Sequence, residues 1–285
     1  MSAMDRVLET INSLDLNSHV AELETLGYTT IKGVLSDDQV ERAGQAIMAS
    51  VEKRTGKPVD PETGAGYEGG WRYVPHMLYD DEVFEDILME ARPLALVTYL
   101  LGESCMLSSI GCHFKGPGGD SLALHSDNAN GMPAPFPSYA QIANVNYALS
   151  PYSKKEGALV MVPGSHRYVR HPRLDESQLH GEAANPKGVT MDLTPGDCVI
   201  WHGNTWHGSY AREVPGIRMN LSVYFCRQYV LPQEPHKDNV PQEVLDRHSD
   251  DERFKILLGA KQPYGWQKEG PRAGLMAHSP RGLFD

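Results

Sequence analysis

From about residue 104 the chain breaks into short β-prone runs separated by Gly, Pro, Asn and Ser, and this texture restricts its fold more than any other feature. The runs fall at 105–114, 121–126, 141–149, 158–162, 189–193, 197–202 and 217–227. Strands so short and so evenly punctuated bury their apolar sides by closing on themselves, as a barrel or jelly roll does. The part before them reads differently. Val20, Leu23 and Leu26 recur at helical spacing and Gly27 stops the helix. YTTIKGV (28–34) reads as a strand, and Ser36 to Gln39 form a capping box ahead of the apolar stripe Val40, Ala43, Ile47 and Val51. Further helices are predicted near 80–89 and 93–101. The expectation is a mostly β chain in one domain: a helical part over about 1–103, a β core over about 104–228 and a C-terminal extension over 229–285. Two stretches, 56–79 and 128–140, show no periodicity and read as long loops of the kind that form lids or binding loops.

Charge and composition narrow the functions. A formal charge of −11 over 285 residues excludes the basic footprint that nucleic acids require. No apolar run approaches the roughly 18 residues of a membrane span, and the charged start MSAMDRVLETINSLD lacks the apolar segment of a signal peptide. Cys105, Cys112, Cys198 and Cys226 form no CxxC pair, which fits buried reduced thiols. A cytoplasmic protein acting on a small molecule, without a nucleic-acid or membrane partner, is expected; no feature sets its oligomeric state.

Within SLALHSDNANG (121–131), His125 and Asp127 are separated by one residue. The pattern is weak alone, because His180, His236 and His248 satisfy it as well. A metal site with two imidazoles and a carboxylate on one face needs more: a strand that aims residues i and i+2 to one side, and another histidine from distant chain. His236 and His248 lie in a polar, helix-like tail, and His180 stands too close to the next histidines. His125 alone combines a strand context with a body of β-structure before a further histidine, found in DCVIWHGNTWHGSYAREVPGIRMNLSVYF (197–225) as His202 or His207. Downstream, Arg218, Asn220 and Ser222 alternate with Met219, Leu221 and Val223, so one arginine faces inward. A buried guanidinium needs an anion, no protein carboxylate is evident on the neighbouring strands, and a bound dicarboxylate would serve.

Taken together, H-S-D at 125–127, EGALVMVPGSHR at 156–167, PGDCVIWHGNTWHGS at 195–209 and Arg218 eleven positions after His207 resemble the phytanoyl-CoA dioxygenase family of iron(II)- and 2-oxoglutarate-dependent oxygenases. ELETLGYTTIKGVLSDDQVERA (22–43) resembles that family's opening, so the likeness runs over roughly 20–228. It implies a double-stranded β-helix (jelly roll, cupin-like) core with flanking N-terminal α-helices. It makes His125, Asp127 and His207 the iron ligands and catalytic centre, and Arg218 the partner of the cosubstrate's far carboxylate. Ser209, Asn146, Asn144 and Lys115 fall at positions that surround the cosubstrate. Some relatives carry a polar side chain three residues before the first ligand; here Leu122 stands there. The cofactors implied are Fe(II), 2-oxoglutarate and O2, and the products succinate and CO2. Since halogenating relatives carry Ala or Gly where Asp127 stands, hydroxylation or a related oxidation is implied instead. His202 is then left as a structural residue near Trp201, and His166 as a turn residue. Trp71, Tyr73, Tyr79 and Phe136, from the two long loops, are candidates to line a substrate pocket. A small, largely apolar metabolite is expected as substrate. The rival readings are a cupin-like metal isomerase or hydrolase on the same ligands, and a binding module without catalysis.

Overall fold

The computed structural model describes residues 2–64, 71–119, 121–129, 132–261, 266–267 and 270–271. Five helices belong to the N-terminal part: α1 (Ala3–Ser13), α2 (Asn17–Leu26), α3 (Asp37–Thr55), α4 (Glu82–Leu88) and α5 (Ala91–Leu101). Their boundaries follow local chemistry. Ser36 caps α3 through the Gln39 amide, and the Gln39 side chain returns the bond to Ser36. Gly27 ends α2 in the left-handed conformation at φ 84°. Helix α1 was not anticipated; its charged sequence hides an apolar edge, Ala3, Val7 and Ile11, that is buried.

Ten strands build two antiparallel sheets: β1 (Tyr28–Ile31), β2 (Trp71–Val74), β3 (Met106–Lys115), β4 (Leu122–His125), β5 (Ile142–Ala148), β6 (Leu159–Met161), β7 (Val189–Thr190), β8 (Cys198–His202), β9 (His207–Ser209) and β10 (Asn220–Cys226). The larger sheet runs β1-β8-β5-β10-β3-β2 and the smaller β4-β9-β6-β7. This is the expected jelly roll. Strands β2 and β9 depart from the expectation. β2 lies inside the stretch taken as a loop, where it pairs with β3 as an added edge. β9 has three residues, too few for a periodic pattern, and is held by β4 on one side and β6 on the other.

Period-two alternation sorts the large sheet into two faces. Ile110, Cys112, Val145, Tyr147, Cys198, Ile200, Leu221 and Val223 join the helices, with Ile47, Phe84 and Leu96, in the main apolar core. The alternate residues turn the other way, toward the smaller sheet: on β5 and β10 they include the polar Asn144, Asn146, Asn220 and Ser222, while Val199 and Trp201 of β8 pack with Leu159 and Met161 in a second apolar cluster. Beyond the barrel, the described residues of the extension form three short helices, α6 (His236–Asn239), α7 (Gln242–Arg247) and α8 (Glu252–Leu257). The four cysteines are buried and free. No helix among the described residues is long and apolar enough to cross a membrane.

Candidate active site

Strands β4 and β9 set His125 directly opposite His207 in register. Close approach of the two strands depends on Gly208, whose missing side chain leaves room for the Leu122 carbonyl. The two rings lie with centroids 4.3 Å apart. Each histidine directs Nδ1 at a carbonyl two residues back, His125 at Ala123 (2.9 Å) and His207 at Thr205 (3.0 Å). With that nitrogen carrying the proton, Nε2 presents its lone pair to the space between the strands.

Asp127 enters the same space by a route the strand argument did not foresee. β4 ends at His125, and Asp127 opens a short 3-10 turn over Asp127–Ala129. Ser126 Oγ and the Asp127 N–H both donate to the Gly203 carbonyl at 3.0 Å, and this pair of bonds draws the chain off the strand. The Asp127 carboxylate then stands 3.8 Å from His125 Nε2 and 3.4 Å from His207 Nε2. One donor atom from each residue lies within 4.8 Å of the other two, so the three side chains converge where they could hold a metal ion. Asn144 Nδ2 (2.7 Å) and Trp201 Nε1 (3.0 Å) both donate to Asp127 Oδ2, and Tyr224 Oη donates to the Asp127 carbonyl (2.8 Å). Burial holds the His207 imidazole down at about 4, opposed by the Asp127 carboxylate, so the ring stays neutral as a metal ligand requires.

His202 stands five residues before His207, but strand parity separates it from the site. Trp201 faces the cavity, and its neighbour His202 turns the other way, with Nε2 toward the Ser138 carbonyl (3.3 Å) and Nδ1 accepting from the Asn204 N–H (3.0 Å). His166 lies in a 3-10 turn after Gly164, as expected.

A cavity of about 300 Å³ opens between the sheets and is lined by the three candidate ligands together with Asn144, Asn146, Ser209 and Arg218. Arg218 is 2% exposed. Its Nη1 donates to the Gly157 carbonyl (2.6 Å), its guanidinium lies over the Tyr152 ring (5.1 Å), and no carboxylate among the described residues pairs with it. Arg218 Nε and, two residues on, Asn220 Nδ2 are buried without any hydrogen-bond partner. Lys115 is fully buried beside them and donates to Ser209 Oγ (3.0 Å) and to the Tyr210 carbonyl (2.7 Å). Orphaned donors and the Arg218 guanidinium at one end of a cavity call for an anion with several acceptor oxygens. A dicarboxylate fits that donor set.

Of the aromatic candidates, Tyr73 lines the cavity. Trp71 belongs to β2, and its side chain lies outside the described residues. Tyr79 and Phe136 do not line it. Tyr79 packs against the extension, with Oη 3.2 Å from His236 Nδ1, and Phe136 is buried edge-on to His171 as an anchor of its loop. Aromatic side chains in loops anchor the loop as readily as they meet a ligand, and the sequence does not separate the two uses. Several residues of the site were not singled out beforehand: Trp201, Tyr224, Tyr152, His113 and Gln233. Period-two reading of β10 continued past Ser222 reaches Tyr224. Gln233 comes from the extension, and no periodic signal marks it.

The model of the phytanoyl-CoA dioxygenase (PhyH) family matches residues 23–220. The chain is 27% identical over 245 residues to dioxygenase af480 of Aspergillus fumigatus, an alignment covering 83% of this chain and 74% of that protein. Among solved structures it resembles HygX of Streptomyces hygroscopicus, crystallised with nickel and 2-oxoglutarate, at a TM-score of 0.62 and 19% identity over 76% of this chain and 88% of that one. It also resembles SnoK, a non-heme α-ketoglutarate-dependent carbocyclase from nogalamycin biosynthesis, at a TM-score of 0.55 and 19% identity over 81% and 90% of the two chains. At such identities the solved structures establish the shared jelly-roll fold, and the family match, which spans more than half of the sequence, establishes descent. The chain belongs to the phytanoyl-CoA dioxygenase family.

Proposed function

We propose that this chain is an iron(II)- and 2-oxoglutarate-dependent oxygenase in which His125, Asp127 and His207 hold the metal and Arg218 grips the far carboxylate of the cosubstrate. The observation that carries the reading is the buried Arg218, without a carboxylate partner and with an orphaned Nε, in the same cavity as the converging triad. Lys115, through Ser209, adds positive potential at the same end. Asn146 is oriented by Tyr152, whose Oη donates to Asn146 Oδ1 (3.0 Å), which leaves the amide nitrogen to face the cavity.

When bound, iron(II) with 2-oxoglutarate and oxygen supplies oxidation of a C–H bond coupled to release of succinate and CO2. The protein's own part is to orient and enclose. His125, Asp127 and His207 would hold the metal, Asn144 and Trp201 hold the carboxylate's rotamer, and the enclosing sheets limit water. With Asp127 occupying its position, hydroxylation or a related C–H oxidation of a small molecule is the reaction proposed. A non-oxidative metal enzyme with the same triad would have no use for a buried arginine without a carboxylate partner.

Anaerobic addition of iron(II) and 2-oxoglutarate is expected to give the weak visible charge-transfer band of the chelate, and admission of oxygen to give succinate. Arg218→Ala is expected to weaken 2-oxoglutarate at least ~30-fold, the lower range for losing one side of a buried charged pair. His207→Ala is expected to abolish both band and succinate. A colourless wild-type protein that binds metal but ignores 2-oxoglutarate would defeat the proposal.

A further inference from the structure

The cavity extends past the metal triad to an end that neither metal nor cosubstrate explains. Lys115 and Ser109 sit six residues apart on the inner face of β3, about 20 Å along the strand, so Ser109 marks the opposite limit from the cationic end. Ser109 pairs across the sheet with Tyr224, which pairs in turn with Asn144, so this row passes beside Asp127. Two segments outside the barrel's own strands complete the wall. From β2 comes Tyr73, which lines the same end of the cavity as Ser109. From the extension comes Gln233, whose Oε1 accepts from Ser109 Oγ (2.6 Å).

Both segments are fixed in place. A Cβ on Gly111 would come within 2.7 Å of the Tyr73 phenol and 2.5 Å of the Val74 carbonyl, so that glycine is what lets the ring lie against β3. Next to Gln233, Glu234 is 3% exposed and its carboxylate accepts from the His76 N–H (2.7 Å) and the Ile110 N–H (3.2 Å). Those bonds tie the extension to β3 and to the segment after β2, where His76 is held at φ 59°. Such a wall is built to keep a few hydrogen-bonding groups in fixed positions.

Among the described residues, formal charge on the cavity lining is confined to Asp127 and Arg218, which the proposed function assigns to the metal and the cosubstrate. The Glu234 carboxylate is occupied by backbone. What remains at the far end among the described residues is neutral: the Tyr73 and Tyr224 phenols, a serine hydroxyl, and a glutamine amide whose nitrogen makes no hydrogen bond among the described residues. A charged substrate group would find no partner there. A hydrocarbon would displace water from the Gln233 amide nitrogen and leave that donor unpaired, which sites built for hydrogen bonding reject strongly.

Resting on the function proposed above, we infer that Tyr73, Ser109 and Gln233 form a substrate subsite for a neutral compound bearing hydroxyl or amide groups close to the carbon that is oxidised. The largely apolar metabolite expected from the sequence does not match this wall. Because the cavity is at the small end of the roughly 300–1,000 Å³ range of ligand pockets, only the reacting part of a larger molecule enters it.

The test uses the full chain, loaded anaerobically with iron(II) and 2-oxoglutarate, and reads the shift of the chelate band as ligands are added. The probes are neutral glycosides, cyclitols and hydroxylated lactones, the same scaffolds deoxygenated, and versions carrying a carboxylate or an ammonium group. Neutral hydroxylated probes are expected to shift the band and raise succinate formation, with deoxygenated and charged versions at least tenfold weaker. Ser109→Ala and Gln233→Leu are each expected to weaken the binding of the neutral probe about tenfold and to narrow the gap to its deoxygenated version. Preference for deoxygenated or charged probes, no response to any neutral probe, or equal discrimination in wild type and both variants would overturn the inference. Failure of the band to form before any probe is added would instead strike the proposed function.

Discussion

Asp127 Oδ2 accepts two hydrogen bonds, from Asn144 and from Trp201, in addition to the share of a metal that the proposed function assigns to the carboxylate. Neither neighbour belongs to the triad, yet they decide which way the carboxylate points. Groups that orient a metal ligand in this way commonly carry a factor of about 10–100 in metal affinity. Asn144→Leu, nearly the same size, is therefore expected to weaken metal binding about 10-fold or more while leaving the fold intact, as measured by titration with cobalt(II) and checked by circular dichroism. Unchanged affinity would show that Trp201 alone suffices. The two histidines need no such outside help, since each imidazole is set by the carbonyl two residues before it in the chain.

Strand pairing matters in the same way for β4 and β9. They bring His125 and His207 together only because Gly208 lets the Leu122 carbonyl pass close by. Gly208→Ala is expected to push the two strands apart and cost cobalt(II) affinity as much as losing one histidine does, with a smaller effect on the urea unfolding midpoint. Retained affinity would mean the smaller sheet yields elsewhere. A surface cap gives the contrasting case. Ser36→Ala removes one bond at the start of α3, far along the chain from any ligand, and is expected to cost about 1 kcal/mol of stability by urea unfolding with metal binding preserved.

The whole barrel keeps three imidazoles neutral. Burial holds His202 and His207 at about 4, and burial together with the Arg218 and Lys115 cations holds His113, which lines the cavity, at about 3. Unfolded, each would titrate near 6.5. The folded values are the lower ones, so the unfolded chain binds more protons throughout the interval between them. Stability is fully present above about pH 6.5 and is lost as pH falls toward 4, at about 1.4 kcal/mol per histidine for each pH unit in between. Urea midpoints of the metal-free protein measured from pH 7.5 down to 5 are expected to fall steadily, and His202→Gln is expected to flatten the fall by roughly one histidine's share. A midpoint independent of pH over that range would refute this account of the core.

Local order was written in the sequence: the capping box at Ser36, the glycine stop at Gly27 and the two-residue alternation of β10 each depend on neighbours in the chain, which a linear reading contains. The convergence of His125, Asp127 and His207 in one cavity with Arg218 was legible as well, through a spaced set of motifs that no single histidine could supply. What lay beyond reach was set by contacts between distant segments. β2 is a strand because β3 offers it an edge, Asp127 leaves its strand because the Gly203 carbonyl draws it away, and Gln233 meets Ser109 because Glu234 anchors the extension to β3. Hydrogen bonds across more than a hundred residues leave no period in the sequence, so the wall of the substrate end is a property of the folded molecule alone.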